Sequence, residues 1–211
     1  LKRWPGGLIE IYGMTEGGGS CILYAHNHPD KLHTVGKPAE GHEIRLLTND
    51  EQQAAPGQAG EILGHSPSMM TGYYGQPEKT KEIVWTAPDK KRFFRSGDIG
   101  VFDEDGFLSI IDRKKDMIIV SGFNVYPNEV ENILVSHPDI LEAAVIGEPC
   151  EKSGELVSAY VVKSSKNNIS SQRVIDYCRK LLTPYKIPKK VTFLVELPKS
   201  AVGKILRKDL R

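Results

Sequence analysis

Residues 112–131 read DRKKDMIIVSGFNVYPNEVE, and the change of character inside this stretch decides the fold. Asp112, Arg113, Lys114, Lys115 and Asp116 are all charged, which suits a solvated junction better than a core segment. The apolar run Met117 to Val120 predicts a strand, and the Gly122 that follows suits a tight turn. Pro127 to Ser136 predicts a helix with Val130, Ile133 and Leu134 on one face. His137-Pro138 ends it, because the residue before a proline is pushed out of helical geometry. A boundary is therefore expected near residues 112–116.

Downstream of that boundary, Leu141 to Gly147 and Leu156 to Lys163 read as strands. Ser170 then caps a helix carrying Val174, Ile175, Cys178, Leu181 and Leu182 at helical spacing, and Val191 to Val195 is a last strand. These elements make a small α+β domain. Upstream, Leu8 to Tyr12 is a short apolar strand feeding the loop YGMTEGGGS, whose glycines let backbone amides approach a ligand. Between Val35 and Ile111, β-like runs at His42 to Leu47, Glu61 to Gly64, Gly100 to Phe102 and Phe107 to Ile111 are separated by Gly, Pro, Asn and Asp. Glu78 to Val84, after Pro77, is the one helix expected there, and Asp105-Gly106 marks a hairpin turn. The expected fold class is α+β: a mainly β subdomain over 1–112, a hinge over 113–116, and a small mobile domain over 117–211.

The 211 residues carry 28 Lys plus Arg against 27 Asp plus Glu, so the net charge of +1 gives no global reason to bind a nucleic acid polymer. Hydrophobic residues make up 39%, a mix that excludes a disordered or fibrous chain. The 3 cysteines, Cys21, Cys150 and Cys178, lack C-x-x-C spacing, which disfavours a disulfide framework or a thiolate zinc site and fits a reducing cytoplasm. No apolar run approaches the roughly 20 residues of a membrane span. The opening LKRWPGG has neither an initiator Met nor a signal-peptide core, so the chain is expected to be a piece of something longer.

Neither a P-loop lysine motif nor G-x-G-x-x-G is present. Gly64-His65-Ser66-Pro67-Ser68 approaches a hydrolase nucleophile elbow, but its fifth position is Ser and a Pro follows the serine. His26 and His28 with Cys21 nearby resemble part of a metal site without the remaining ligands. The other polar motifs make chemical sense together. Tyr12-Gly13-Met14-Thr15-Glu16 offers an aromatic face for a purine, a hydroxyl and free amides for a phosphate, and a hard carboxylate for Mg²⁺. Phe94-Arg95-Ser96-Gly97-Asp98 sets a carboxylate just past a glycine turn, where it can accept two ribose hydroxyls. Arg113 can fork onto phosphate or ribose oxygens. Ser200 to Lys204 puts a lysine behind a flexible glycine.

In order along the chain, YGMTE (12–16), GEI with GYY (60–62, 72–74), FRSGD (94–98), DRKKDMIIVSGFNVYPNEVE (112–131), LTPYKIP (182–188) and LPKSAVGKILR (197–207) resemble the later core motifs of the adenylate-forming superfamily of acyl-CoA synthetases, adenylation domains and luciferases. Within it, the motifs look most like bacterial long-chain fatty acid CoA ligases. The resemblance implies ATP, Mg²⁺ and coenzyme A as reactants, and a long-chain fatty acid activated to an acyl-adenylate and then passed to the thiol. It further implies that Lys204 bridges carboxylate and α-phosphate, that Tyr12 stacks on adenine with Gly13 and Met14 beside it, and that Thr15 holds the α-phosphate. Glu16 becomes the Mg²⁺ ligand, Asp98 the ribose ligand and Arg113 a nucleotide support. Lys115 matches the hinge position, and Ser121-Gly122-Phe123 the loop along which a pantetheine arm passes; Phe123 departs from the second glycine of some relatives. An upstream phosphate loop and most of the acyl pocket are missing, so the chain is expected to be a carboxy-terminal portion inactive by itself. Other readings are a fatty acyl-AMP ligase loading a carrier protein, or a non-catalytic module binding a partner. A long-chain acid partitions into bilayers, which leaves peripheral membrane contact open, although no amphipathic basic helix is evident.

Overall fold

The computed structural model describes residues 6–164 and 169–211; residues 1–5, part of the stretch read above as an internal start, lie outside them. Two compact units divide between Lys114 and Lys115, inside the charged run.

The first unit holds two sheets. In one, β1 (Ile9–Gly13) pairs antiparallel with β2 (Ser20–Tyr24), Tyr12 opposite Cys21, and β3 (Lys37–Pro38) adds to β2. In the other, β4 (Glu43–Leu47), β5 (Gly60–His65), the helix α1 (Pro77–Ile83), β6 (Val84–Thr86), β7 (Arg92–Phe102) and β8 (Leu108–Arg113) follow in chain order. The long β7 is the spine of this sheet, with β5 along one edge and β6 and β8 at opposite ends of the other. Leu47, Leu63 and Phe93 are buried beneath it, and the Arg45 guanidinium lies 4.4 Å from the centre of the Phe93 ring.

Sequence reading placed a glycine turn before Asp98 and began the strand at Gly100. Instead, one 11-residue strand runs through FRSGD. Glu61 pairs with Ile99 while Leu63 pairs with Arg95, so β7 carries extra residues there and bulges. Gly97 sits at φ +73, which glycine adopts without a Cβ penalty, and that is why the motif resembles a turn. The strands β2, β3, β6 and β10 (Phe123–Val125) have no counterpart in the sequence reading; three of them are only two or three residues long, too short to show a period.

In the second unit, β9 (Ile118–Val120), β10, the helix α2 (Pro127–Val135), β11 (Ile140–Cys150), β12 (Gly154–Lys163), the helix α3 (Ser171–Leu181) and β13 (Lys190–Leu194) build a five-stranded sheet. β12 is central, antiparallel to β11 along its length and parallel to β13. Its alternation sends Val157, Ala159 and Val161 to the helical side, where they meet Val130, Leu134, Val174 and Cys178. On the opposite side, Val162 and Ala144 pack against Leu197, Ile205 and Leu210 of the carboxy-terminal segment. Ser170 caps α3 as expected, its hydroxyl accepting from the Arg173 amide, whereas Leu181 is exposed and Leu182 packs on the core from beyond the helix end.

Candidate nucleotide site

Three predicted site residues converge in the first unit. The Tyr12 hydroxyl donates to Asp98 Oδ2 at 2.8 Å, and Arg113 Nε lies 2.7 Å from Asp98 Oδ1. Asp98 and Arg113 are register partners across β7 and β8, so the pair is set by strand pairing, while Tyr12 reaches in from the other sheet. The bulge turns Asp98 into this junction, and Ser96 Oγ accepts from its backbone amide at 3.0 Å. Burial first, then the bond to the Asp98 carboxylate, holds the Tyr12 hydroxyl well above the usual phenol range; hydrogen bonding from Ser96 works the other way. Tyr12 is thus a donor at any physiological pH.

Around the cluster is a cavity of about 260 Å³ floored by Gly13, Gly18, Gly19 and Gly64, with Met14, Thr15, Glu16 and Ser96 at its sides. The glycines are there for close approach of backbone to backbone. A Cβ on Gly64 would stand 1.3 Å from the Gly18 carbonyl oxygen, and one on Gly17, at φ +75, would stand 2.4 Å from the Ser68 carbonyl oxygen. Ser66, the serine of the elbow-like motif, is 3% exposed and donates to the Gly17 carbonyl at 2.6 Å. It fastens the loop and is turned away from any nucleophilic role by that bond.

Glu16 accepts from the Tyr73 hydroxyl at 2.6 Å and from Thr15 Oγ1 at 3.0 Å. The Tyr73 bond is the main cause that holds its carboxyl below the usual range, so it stays ionised. Tyr73 lay in the GYY motif without a role, and Ser96 in FRSGD; their signal in the sequence was adjacency to a motif. The histidine cluster has ordinary occupations: Cys21 is fully buried, its thiol pushed up to about 12 by burial, His26 bonds the Leu8 carbonyl, and His28 packs edge-on against Phe107. Among the described residues no cluster of three or more His, Cys, Asp or Glu is placed to hold a metal ion.

In the second unit, Lys204 is exposed at the end of a tight turn in which the Ser200 amide donates to the Lys204 carbonyl and Gly203 sits at φ +80. An isolated pairing of Lys199 with Ile205 closes the turn, and the Lys204 ammonium has no ion-pair partner among the described residues. Ser121 and Gly122, at φ +51 and +84, form the turn between β9 and β10. Phe123 begins β10, 56% exposed and stacked on Tyr185 of LTPYKIP with ring centres 4.7 Å apart. Lys115 is exposed at the start of this unit. Among the described residues no helix is long and apolar enough to cross a membrane.

Two family models match the chain, "AMP-binding enzyme" over residues 1–74 and "AMP-binding enzyme C-terminal domain" over residues 129–204. It is 45% identical over 204 residues to a long-chain-fatty-acid–CoA ligase of Salmonella typhimurium, covering 97% of this chain and 35% of that protein. Identity to a 2-succinylbenzoate–CoA ligase of Bacillus cereus is 37% over 211 residues, covering 42% of that protein. The o-succinylbenzoate coenzyme A synthetase of Bacillus subtilis, solved in complex with ATP and magnesium ion, superposes with a TM-score of 0.78 at 35% identity, over 97% of this chain and 41% of that one. The chain spans about a third of the length of the long-chain ligase it matches.

Proposed function

The chain belongs to the AMP-binding, adenylate-forming enzymes, and we propose on that footing that it is the portion of an ATP-dependent acid–thiol ligase that grips the nucleotide and carries the adenylating lysine. The observation that carries this reading is the Tyr12–Asp98–Arg113 cluster at the wall of a glycine-floored cavity.

The residues fit the reactants. A carboxylate has about four lone-pair positions; Tyr12 and Arg113 take two on Asp98, which leaves two for vicinal ribose hydroxyls. On this reading the Tyr12 ring takes the purine, and Thr15 with the amides of Gly13 and Met14 takes the phosphate; all four residues line the cavity. Glu16, ionised and half-buried, supplies the hard oxygen that Mg²⁺ prefers, and the bound ion would neutralise phosphate charge. Lys204 brings a compact cation for the oxygens of the carboxylate and the α-phosphate as charge develops between them.

In the first half-reaction a carboxylate oxygen bonds to the α-phosphorus and pyrophosphate leaves. In the second the thiol sulfur bonds to the acyl carbonyl carbon and AMP leaves. Rotation of the second unit about Lys115 withdraws Lys204 and presents Ser121-Gly122-Phe123 to the acceptor, so one nucleotide site serves both steps. A long-chain fatty acid is the favoured substrate, supported by 45% identity to such ligases against 37% to a succinylbenzoate ligase. The free cysteines suit a reducing, cytoplasmic setting.

The test uses the longer parent protein. AMP release with ATP, coenzyme A and either a C16 fatty acid or 2-succinylbenzoate, with product mass determined, supports the reading if only the fatty acid yields its CoA ester. A succinylbenzoyl or carrier-protein product overturns it. The 211-residue chain itself should release no more AMP than its Lys204→Ala variant.

A further inference from the structure

The residues on either side of Lys115 are each fastened to their own unit. Lys114 Nζ lies 2.8 Å from Glu61 Oε2 on β5, a carboxylate only 6% exposed that also receives Arg95 Nη1 at 2.6 Å. One residue earlier, Arg113 is held to Asp98. All five of these residues belong to the first unit. On the other side Asp116, with 12% of its side chain exposed, is approached by Arg211 Nη2 at 3.3 Å and by Arg207 Nη1 at 3.7 Å. Arg207 is itself locked to Glu131 of α2 at 2.7 Å, and Arg211 also reaches the Lys115 carbonyl at 3.5 Å. These partners all belong to the second unit. Lys115 stands between the two sets as the middle residue of a single 3-10 turn over Lys114–Asp116, exposed and without a side-chain ion pair among the described residues.

We infer that Glu61 through Lys114, and Arg207 and Arg211 through Asp116, are positioning residues that confine the rotation to the backbone torsions at Lys115. The inference rests on the hinge reading above and adds to it the parts that make one residue the pivot. A hinge spread over residues 112–117 lets the second unit wander; a hinge of one residue swings it along a defined arc, so that a lysine at its far end and a loop near its start alternate at a fixed place. Glu61 suits the task because it is buried and already neutralised by Arg95. Its bond to Lys114 is charge-assisted, with the carboxylate buried and the ammonium 42% exposed.

Backbone order parameters measured by ¹⁵N relaxation on the 211-residue chain test the fastening of the flanking residues on the ps–ns timescale that they report. The amides of Lys114 and Asp116 should show rigid values of about 0.85 and Lys115 a distinctly lower one. Lys114→Met leaves Glu61 paired with Arg95, so the fold is kept, and should drop the Lys114 value to about 0.6 or below, the flexible range. Asp116→Asn should do the same at position 116 and provides the second test if the first variant is poorly folded. Flexible values at 114 and 116 in the unaltered chain, or unchanged values in both variants, overturn the inference. The hinge reading fails separately, if Lys115→Pro in the parent enzyme leaves thioester formation as fast as adenylation with the order-parameter pattern intact.

Discussion

Lys204 is an exposed cation on a hydrogen-bonded turn, and its loss should be felt in chemistry and not in folding. In the parent enzyme Lys204→Ala is expected to slow adenylation about 10² to 10³-fold with an unchanged melting temperature, measured by pyrophosphate release and calorimetry. Gly64 is the opposite case. Gly64→Ala sets a methyl 1.3 Å from the Gly18 carbonyl oxygen and should cost about 3 kcal/mol in urea unfolding, the upper end of ordinary overpacking. The thiols divide as sharply. Cys150 lies at a strand end with its pKa lowered by hydrogen bonding from Ser153, while burial raises Cys21 and Cys178 to about 12 and about 11. Iodoacetamide at pH 8 should therefore alkylate Cys150 alone in the folded chain, as read by peptide mass. The motifs carrying Tyr12, Asp98 and Arg113 were legible in the sequence as polar groups that make chemical sense together, and the structure brings those three side chains into contact. Gly64 was not legible in this way: its neighbour in space is 46 residues away in the chain, and only the fold brings Gly18 against it.

Among elements, α2 shows how far periodicity reaches. Val130 and Leu134 are fully buried and Ile133 half so, as spacing requires, and Leu134→Ala should cost about 3 kcal/mol. The β7–β8 hairpin shows where it stops. Asp103 accepts from the Phe107 amide within the turn and from Lys31 at 2.8 Å, and the Lys31 bond is the largest cause holding its carboxyl below its ordinary 3.8. A carboxyl depressed in the native state takes up protons more readily when unfolded. Its stabilisation is present above about pH 4 and fades as pH falls through the native value. Acid titration of Lys31→Met, followed by circular dichroism, should show a smaller loss of stability below pH 4 than the unaltered chain. Nothing in the local sequence pairs Lys31 with a turn 72 residues later; that contact goes with the backbone bonds by which Val35 and Gly36 hold Leu108 at the start of β8.

Among the described residues, each of the two units has its own buried apolar clusters. Lys115–Arg211 expressed alone should thus give a cooperative thermal transition and a dispersed proton spectrum; a flat melt would mean that the unit borrows stability from the first. The five-residue charged run marked where the division falls, yet it is not a free linker: Asp112 and Arg113 close β8, Lys114–Asp116 make one 3-10 turn, and Asp112 and Asp116 are buried. The ion pairs flanking it were not legible, because they depend on side chains from β5 and the final residues. The parallel neighbour of β12 has a consequence on the ribosome. β11 and β12 can close as a hairpin as soon as they emerge, yet β13 follows about 30 residues later, a delay of roughly 2 to 6 s at ordinary translation speeds. For that interval the centre of the finished sheet is a bare edge, and synonymous codons that lengthen the pause should lower the yield of soluble chain in favour of aggregate.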